Sequence, residues 1–136
     1  PVVQRGLEIL DQNQGEIWAK LEAGTAGYYH HIDRTSIPFP QVLANITAAA
    51  QVRPLVIQAL FMRVSGEAPP ASELDEWVRR LEEIRAAGGR LSLIQVYTVA
   101  RRPAEDYVTS LADEELEAIA QRARRAGFAA EVFGAA

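Results

Sequence analysis

A lysine and a glutamate lie two positions apart in a stretch of the sequence that alternates like a β-strand. Apolar residues occupy every second position of Glu16–Glu22, and Lys20 and Glu22 fall on the opposite face. A cation beside a carboxylate can hold a zwitterionic amino-acid group or hydroxyls through charge-assisted hydrogen bonds. The same two residues can equally form a plain ion pair at a strand end, so both interpretations stay open.

Gln58 interrupts the nearly continuous apolar run Leu55–Met62. Such a run is typical of a parallel strand that is covered on both faces. A buried amide without a hydrogen-bond partner is costly, so Gln58 needs one. That partner is either a Gln or Tyr on a neighbouring strand or a ligand, and the sequence does not decide between them.

A third set of polar side chains belongs to the predicted strand Leu91–Val99 and to the loop that follows it, Ala100–Leu111. Gln95 and Tyr97 share one face of the strand, and Arg101 follows its end. An arginine at a strand end can hold a carboxylate or a phosphate. It can also serve only to fix the long loop.

The order of the elements that carry these residues indicates an α/β fold. The predicted helices are Val2–Asn13, Gln41–Gln51, Glu73–Ala87 and Asp113–Ala126, and Thr25–Asp33 is predicted to be a short helix or a turn. The predicted strands are Glu16–Glu22, Leu55–Met62, Leu91–Val99 and Ala129–Phe133. Long helices between strands imply right-handed crossovers and a parallel sheet, whose carboxyl ends collect ligands. We predict one α/β domain over residues 1–136.

Single residues indicate where the predicted helix Glu73–Ala87 begins and which side of it is buried. Ser72 has the side chain of an N-cap, with Asp75 three positions later as an imperfect capping box. Trp77 falls at helical spacing among apolar residues and is predicted to lie in the core. The segment Val64–Ala71, which precedes this helix, is predicted to be a loop.

Composition excludes several classes of function. The 136 residues contain no cysteine, so this chain cannot bind an iron–sulfur cluster through its own thiolates. The net charge is −4 and the basic residues lie among acidic ones, so we expect no nucleic-acid partner. We find no metal-binding pattern and no apolar run long enough for a membrane span. We expect a cytoplasmic protein without a membrane partner.

Several segments, in this order and at this spacing, resemble part of a known superfamily. They are Glu16–Thr25 with Tyr29 and Ile32–Arg34, Pro40–Ile46, Val56–Phe61, Gln95–Arg101 with Pro103–Glu105, and Leu111–Leu116. Together they resemble the fourth to sixth strands, and the intervening helices, of bacterial radical S-adenosylmethionine (radical-SAM) proteins. Glu22 stands where Asp is commoner in these proteins, and Asp33 where Asn is commoner.

The resemblance implies a parallel-sheet half-barrel, the C-terminal part of a (β/α)6 radical-SAM partial TIM barrel. In a full-length parent, a [4Fe–4S] cluster held by an upstream CxxxCxxC loop would cleave S-adenosylmethionine to a 5′-deoxyadenosyl radical that abstracts hydrogen from a substrate. The family implies cofactor contacts for Lys20, Glu22 and Gln58. It implies contacts to a small-molecule or peptide substrate for Gln95, Tyr97 and Arg101.

The first residue is Pro1, already close to a helical pattern, so we expect a processed or engineered fragment without catalytic residues or a cofactor of its own. An exposed edge at Glu16–Glu22 leads us to expect self-association. Two other hypotheses remain: a free-standing α/β ligand-binding module, and a structural half-barrel used for assembly. An upstream reading frame encoding CxxxCxxC would favour the enzyme.

Overall fold

The computed structural model describes residues 10–12, 16–32, 37–99 and 108–133. Within this part of the chain the strands are β1 (Leu10–Gln12), β2 (Glu16–Lys20), β3 (Leu55–Leu60), β4 (Arg63–Val64), β5 (Leu91–Tyr97), β6 (Val108–Thr109) and β7 (Ala130–Phe133). The helices are α1 (Ala26–Ile32), α2 (Phe39–Val52), α3 (Ala71–Ala86) and α4 (Asp113–Arg125).

The main sheet has the strand order β1-β2-β3-β5-β7. Strands β2, β3, β5 and β7 are parallel, as the alternation of strands and helices predicted. Since these strands are neighbours in chain order, right-handed crossovers put the connecting helices on the same face. The structure therefore confirms the predicted α/β fold class with a parallel sheet.

The hydrophobic core lies between this sheet and the helices α2, α3 and α4. Helix α3 packs between the other two. Its apolar residues recur at spacings of three and four, and Trp77 and Leu81 have no exposed surface. They meet side chains from alternate positions of the strands, including Ile57 and Ile94. The prediction that Trp77 lies in the core is confirmed.

The predicted first helix, Val2–Asn13, is wrong where the structure describes it. Leu10–Gln12 form β1, which pairs antiparallel with β2 in the register Leu10 with Trp18 and Gln12 with Glu16. This antiparallel pairing prevails over the weak helical spacing of the sequence. The rest of that predicted helix lies outside the described residues.

Strand β1 also changes the expectation about the exposed edge. The edge of Glu16–Glu22 on which we based self-association is covered by β1 along Glu16–Trp18. This pairing covers part of that edge, and self-association stays a prediction.

Two other local predictions are corrected. Helix α3 begins at Ala71, with Pro70 as its N-cap residue and no side-chain cap, so Ser72 lies inside the first turn. Within the predicted loops, β4 and β6 pair antiparallel as a small ribbon. Ser65 and Gly66, both at positive φ, form the tight turn that follows β4.

Candidate functional site

Four polar residues form one row across the parallel strands. Lys20 of β2 lies in register with Gln58 of β3, Gln58 with Gln95 of β5, and Gln95 with Glu131 of β7. Neighbouring strands are about 4.8 Å apart, so the row spans three such spacings. These residues alternate with core residues along their strands and lie on the face opposite the helices, which we call the open face.

Gln58 has the protein partner that its position requires. Its Nε2 donates a hydrogen bond to Oε1 of Gln95 at 3.4 Å, which is long and therefore weak. Both side chains are half-buried, as is that of Lys20. The structure thus realises the neighbouring-strand alternative for Gln58 and still leaves its amide next to an accessible surface.

The rows on either side of this polar row differ in character. Towards the amino ends of the strands, Trp18 lies in register with Val56 and Val56 with Leu93. The buried Nε1–H of Trp18 has no hydrogen-bond partner in the described structure. Towards the carboxyl ends, Tyr97 lies in register with Leu60 and with Phe133. The polar row therefore lies between an apolar row and an aromatic one.

Glu22 has a structural task that the sequence did not indicate. Strand β2 ends at Lys20, and the side chain of Glu22 is 6% exposed. Its Oε1 accepts a hydrogen bond from the backbone N–H of Leu60 at 3.1 Å. The carboxylate thereby satisfies a donor at the end of β3 that the backbone of β2 no longer reaches. Glu22 therefore has a structural role in addition to the cofactor contact that the resemblance implies, which stays a prediction.

The turn after β2 is held by a buried carboxylate from α3. Glu73 is 7% exposed, and its Oε2 accepts hydrogen bonds from the backbone N–H of Gly24 and, at 3.1 Å, from that of Thr25. The hydroxyl of Thr25 donates to Oε1 at 2.8 Å and accepts from the N–H of Tyr28 at 3.2 Å. Glu73 thus fixes the turn and, through Thr25, the start of α1.

Two further side chains of α3 bind the same segment. Trp77 donates from Nε1 to the carbonyl of Leu21 at 2.9 Å. Arg80 donates from Nε to the carbonyl of Gly24, also at 2.9 Å. Because the carboxyl end of β2 is anchored at several points, the position of Lys20 one step earlier is fixed with it.

The pKa of Tyr28 reflects its position beside this turn. Burial, and then the negative charge of Glu73, raise the pKa of its phenol to about 12. Both causes disfavour the phenolate, since neither a buried site nor a nearby carboxylate stabilises a second negative charge.

Side-chain hydrogen bonds also hold described residues that follow β3 and β5. Both carboxylate oxygens of Glu115 in α4 accept from Nη2 of Arg63 at 2.6 Å, and Oε1 also accepts from the N–H of Ala112. The hydroxyl of Thr98 accepts from the N–H of Leu111 at 3.0 Å. The β4–β6 ribbon is thereby anchored beside the carboxyl ends of the sheet.

The structure brings some of the predicted site residues together and does not describe others. Lys20, Gln58 and Gln95 come together in the polar row, and Tyr97 lies in the next row on the same face. Arg101 lies outside the described residues. Sequence reasoning missed Glu73 and the open-face residues of β7.

The described residues contain no group of three potential metal ligands and no helix that is long and apolar enough to cross a membrane. Several helical arginines are engaged in ion pairs, among them Arg80 with Glu76 and Glu83, and Arg122 with Asp75.

Comparisons with known proteins place this arrangement among solved folds. No protein-family model matches the chain, and no curated protein matches it significantly. A domain of the pyruvate-formate lyase-activating enzyme from Bacteroides vulgatus is similar, with a TM-score of 0.65 and 15% identity, over 86% of this chain and 66% of that chain. A radical SAM methyltransferase from Sphaerobacter thermophilus is similar with a TM-score of 0.69 and 15% identity, over 98% of this chain and 37% of that chain.

Both neighbours are radical-SAM superfamily structures, and this chain spans only part of each. At this level of identity the likeness concerns the fold. The chain therefore has the fold of part of a radical-SAM barrel, as its sequence resemblance predicted.

Proposed function

We propose that the chain is the C-terminal part of a radical-SAM enzyme and that its open face is the inner wall that receives S-adenosylmethionine and the substrate. The observation that carries this proposal is the polar row, because Lys20, Gln58 and Gln95 share one level of a sheet face opposite the helices. In parallel barrels, polar residues near the carboxyl ends of strands bind ligands.

The two groups that the fold implies differ in their fit to this chain. An iron–sulfur cluster needs thiolates, and the chain has no cysteine, so these residues do not fit the cluster. S-adenosylmethionine carries a carboxylate, an amino group and ribose hydroxyls, which suit an ammonium group and two amides. Once reduced by a cluster held elsewhere, it supplies radical abstraction of hydrogen from a substrate.

Within this proposal the residues of the chain bind and orient. Lys20 holds the carboxylate of the cofactor, because it is the cation of the row. Gln58 and Gln95, which are already hydrogen-bonded to each other, present their remaining amide groups to hydroxyls or to the substrate. Glu22 supports this wall by accepting a hydrogen bond from the backbone N–H at the end of β3. Its contact with the cofactor is the less important of its two roles.

Substitution of Lys20 tests this placement in the natural protein that contains the chain, reconstituted with its cluster. Lys20→Met keeps much of the side-chain volume and removes the charge, so we expect S-adenosylmethionine to bind about tenfold more weakly, equivalent to about 1.4 kcal/mol. Titration calorimetry measures the affinity, and a thermal melt checks the fold. Arg79→Met, which removes a cation from the exposed side of α3, is the matched control.

Unchanged affinity in Lys20→Met would place the cofactor elsewhere. Glu22→Ala is a less specific test, because removing the acceptor of the Leu60 N–H costs about 1–3 kcal/mol of stability whether or not the cofactor binds there.

A free-standing ligand-binding module is the second candidate, and the pairing of β1 favours it. In a continuous barrel the outer edge of β2 would receive a parallel strand, whereas here an antiparallel hairpin covers it. Cross-strand NMR contacts between Leu10 and Trp18 in the natural protein would support the module, and their replacement by contacts to an upstream parallel strand would support the enzyme.

A further inference from the structure

The last strand of the sheet presents an acidic and an aromatic side chain on the open face. Glu131 and Phe133 are two positions apart in β7, and Phe133 is 48% exposed. The intervening Val132 packs against the core, so Glu131 and Phe133 point away from the helices. Phe133 is one of two large hydrophobic side chains that are exposed in the described part of the chain.

Strand β5 completes a four-residue arrangement around these two side chains. Gln95 lies in register with Glu131, and Tyr97 with Phe133. Two aromatic residues thus stand side by side, one strand spacing of about 4.8 Å apart, directly above an amide and a carboxylate. We call these four residues the β5–β7 corner.

The carboxylate of Glu131 forms no ion pair within the described part of the chain, whereas the acidic residues of α3 and α4 often do. Arg124 of α4 is engaged elsewhere, because it pairs with Glu117 and donates to the carbonyl of Ala130. The carboxylate of Glu131 therefore lies on the open face without a cationic partner among the described residues.

We propose that the β5–β7 corner binds a cationic amine group of the substrate. A carboxylate supplies a charge-assisted hydrogen bond to an ammonium group, and the faces of two aromatic rings attract the same cation within about 6 Å. Lys20 stands at the opposite end of the polar row, so an anionic group and a cationic group are received at opposite ends of the open face. This assignment rests on the proposed function, in which the open face is the ligand-binding wall.

An NMR titration of the chain with n-butylammonium tests the assignment. We expect saturable shifts of the backbone amides of β5 and β7 at the corner, and none with butyrate, which has the opposite charge. Glu131→Gln and Phe133→Leu should each weaken n-butylammonium binding at least fivefold. Glu114→Gln, the same change at an exposed position in the first turn of α4, should leave it unchanged.

Equal responses to butyrate and n-butylammonium, or unchanged binding in both Glu131→Gln and Phe133→Leu, would overturn the assignment. Dispersed NMR spectra show that a variant is folded. If Glu131→Gln does not fold, the conservative variant Phe133→Leu still tests the assignment.

A competition experiment separates a substrate amine from the cations of the cofactor. If S-adenosylmethionine displaces n-butylammonium, and Glu131→Gln weakens the binding of S-adenosylmethionine, the corner belongs to the cofactor and the substrate assignment fails. Absence of competition between the two ligands supports the substrate assignment. The cofactor proposal is tested at Lys20 with a different ligand, so either proposal can fail without the other.

Discussion

Gly24→Ala should lower the free energy of unfolding by about 3 kcal/mol or prevent folding altogether. A Cβ atom at this position would lie 2.2 Å from the backbone nitrogen of Trp77 and 2.4 Å from the backbone carbonyl carbon of Glu76. Backbone atoms inside α3 cannot rotate away as a side chain does, so the turn or the helix must shift. Overpacking of this kind typically costs 1–3 kcal/mol and sometimes more.

Gly27→Ala is the matched control for this prediction. An added Cβ at Gly27 meets nothing within 4 Å, and the residue lies in α1, where alanine is favoured over glycine by about 1 kcal/mol. Urea unfolding of both variants should therefore show a large loss for Gly24→Ala and a small gain for Gly27→Ala. Similar stabilities would contradict the close approach of the turn to α3.

Glu73→Gln should lower the free energy of unfolding by about 2–3 kcal/mol, which is the second large effect that we expect. Both carboxylate oxygens accept hydrogen bonds, from Gly24, Thr25 and the Thr25 hydroxyl. A glutamine amide has only one acceptor atom, so at least one buried donor loses its partner and faces an NH2 group instead. Glu82→Gln, an exposed position on the same helix, should change stability by less than about 0.5 kcal/mol.

The titration of Tyr28 distinguishes this role of Glu73 from a general loss of packing. Its pKa of about 12 means that the folded state favours the neutral phenol. Stability from this residue is complete below the ordinary pKa of about 10 and is lost as the pH rises through about 12. Removing the charge of Glu73 should lower the pKa of Tyr28, while burial, the larger cause, keeps it above 10. An unchanged tyrosinate absorbance titration in folded Glu73→Gln would contradict this account.

The parallel strands could be predicted from the sequence because their apolar patterns are local. Leu55–Met62 and Leu91–Val99 contain β3 and β5 with only their last residues outside the strands. Strand β1 could not be predicted in this way, since only its pairing with β2 distinguishes it from a weak helix. The prediction from Ser72 was wrong because Pro70 is the N-cap residue, so that α3 begins two residues earlier, at Ala71.

The candidate site could be predicted only in part, for a related reason. Lys20, Gln58 and Gln95 are polar residues in apolar strands, a contrast that is visible in the sequence. Glu73 resembles any acidic residue in the first turn of a helix, and its partner Gly24 is 49 positions away. Glu131 belongs to a four-residue strand that is too short to show a clear alternation.

Formation of 5′-deoxyadenosine by the natural gene product that contains this chain tests whether the chain is part of a radical-SAM enzyme. The protein would be reconstituted anaerobically with iron and sulfide, supplied with S-adenosylmethionine and reduced with dithionite. We expect the upstream sequence to encode CxxxCxxC and reductive cleavage to yield 5′-deoxyadenosine and methionine. A natural protein without that motif that binds no cluster and yields no 5′-deoxyadenosine would contradict the claim.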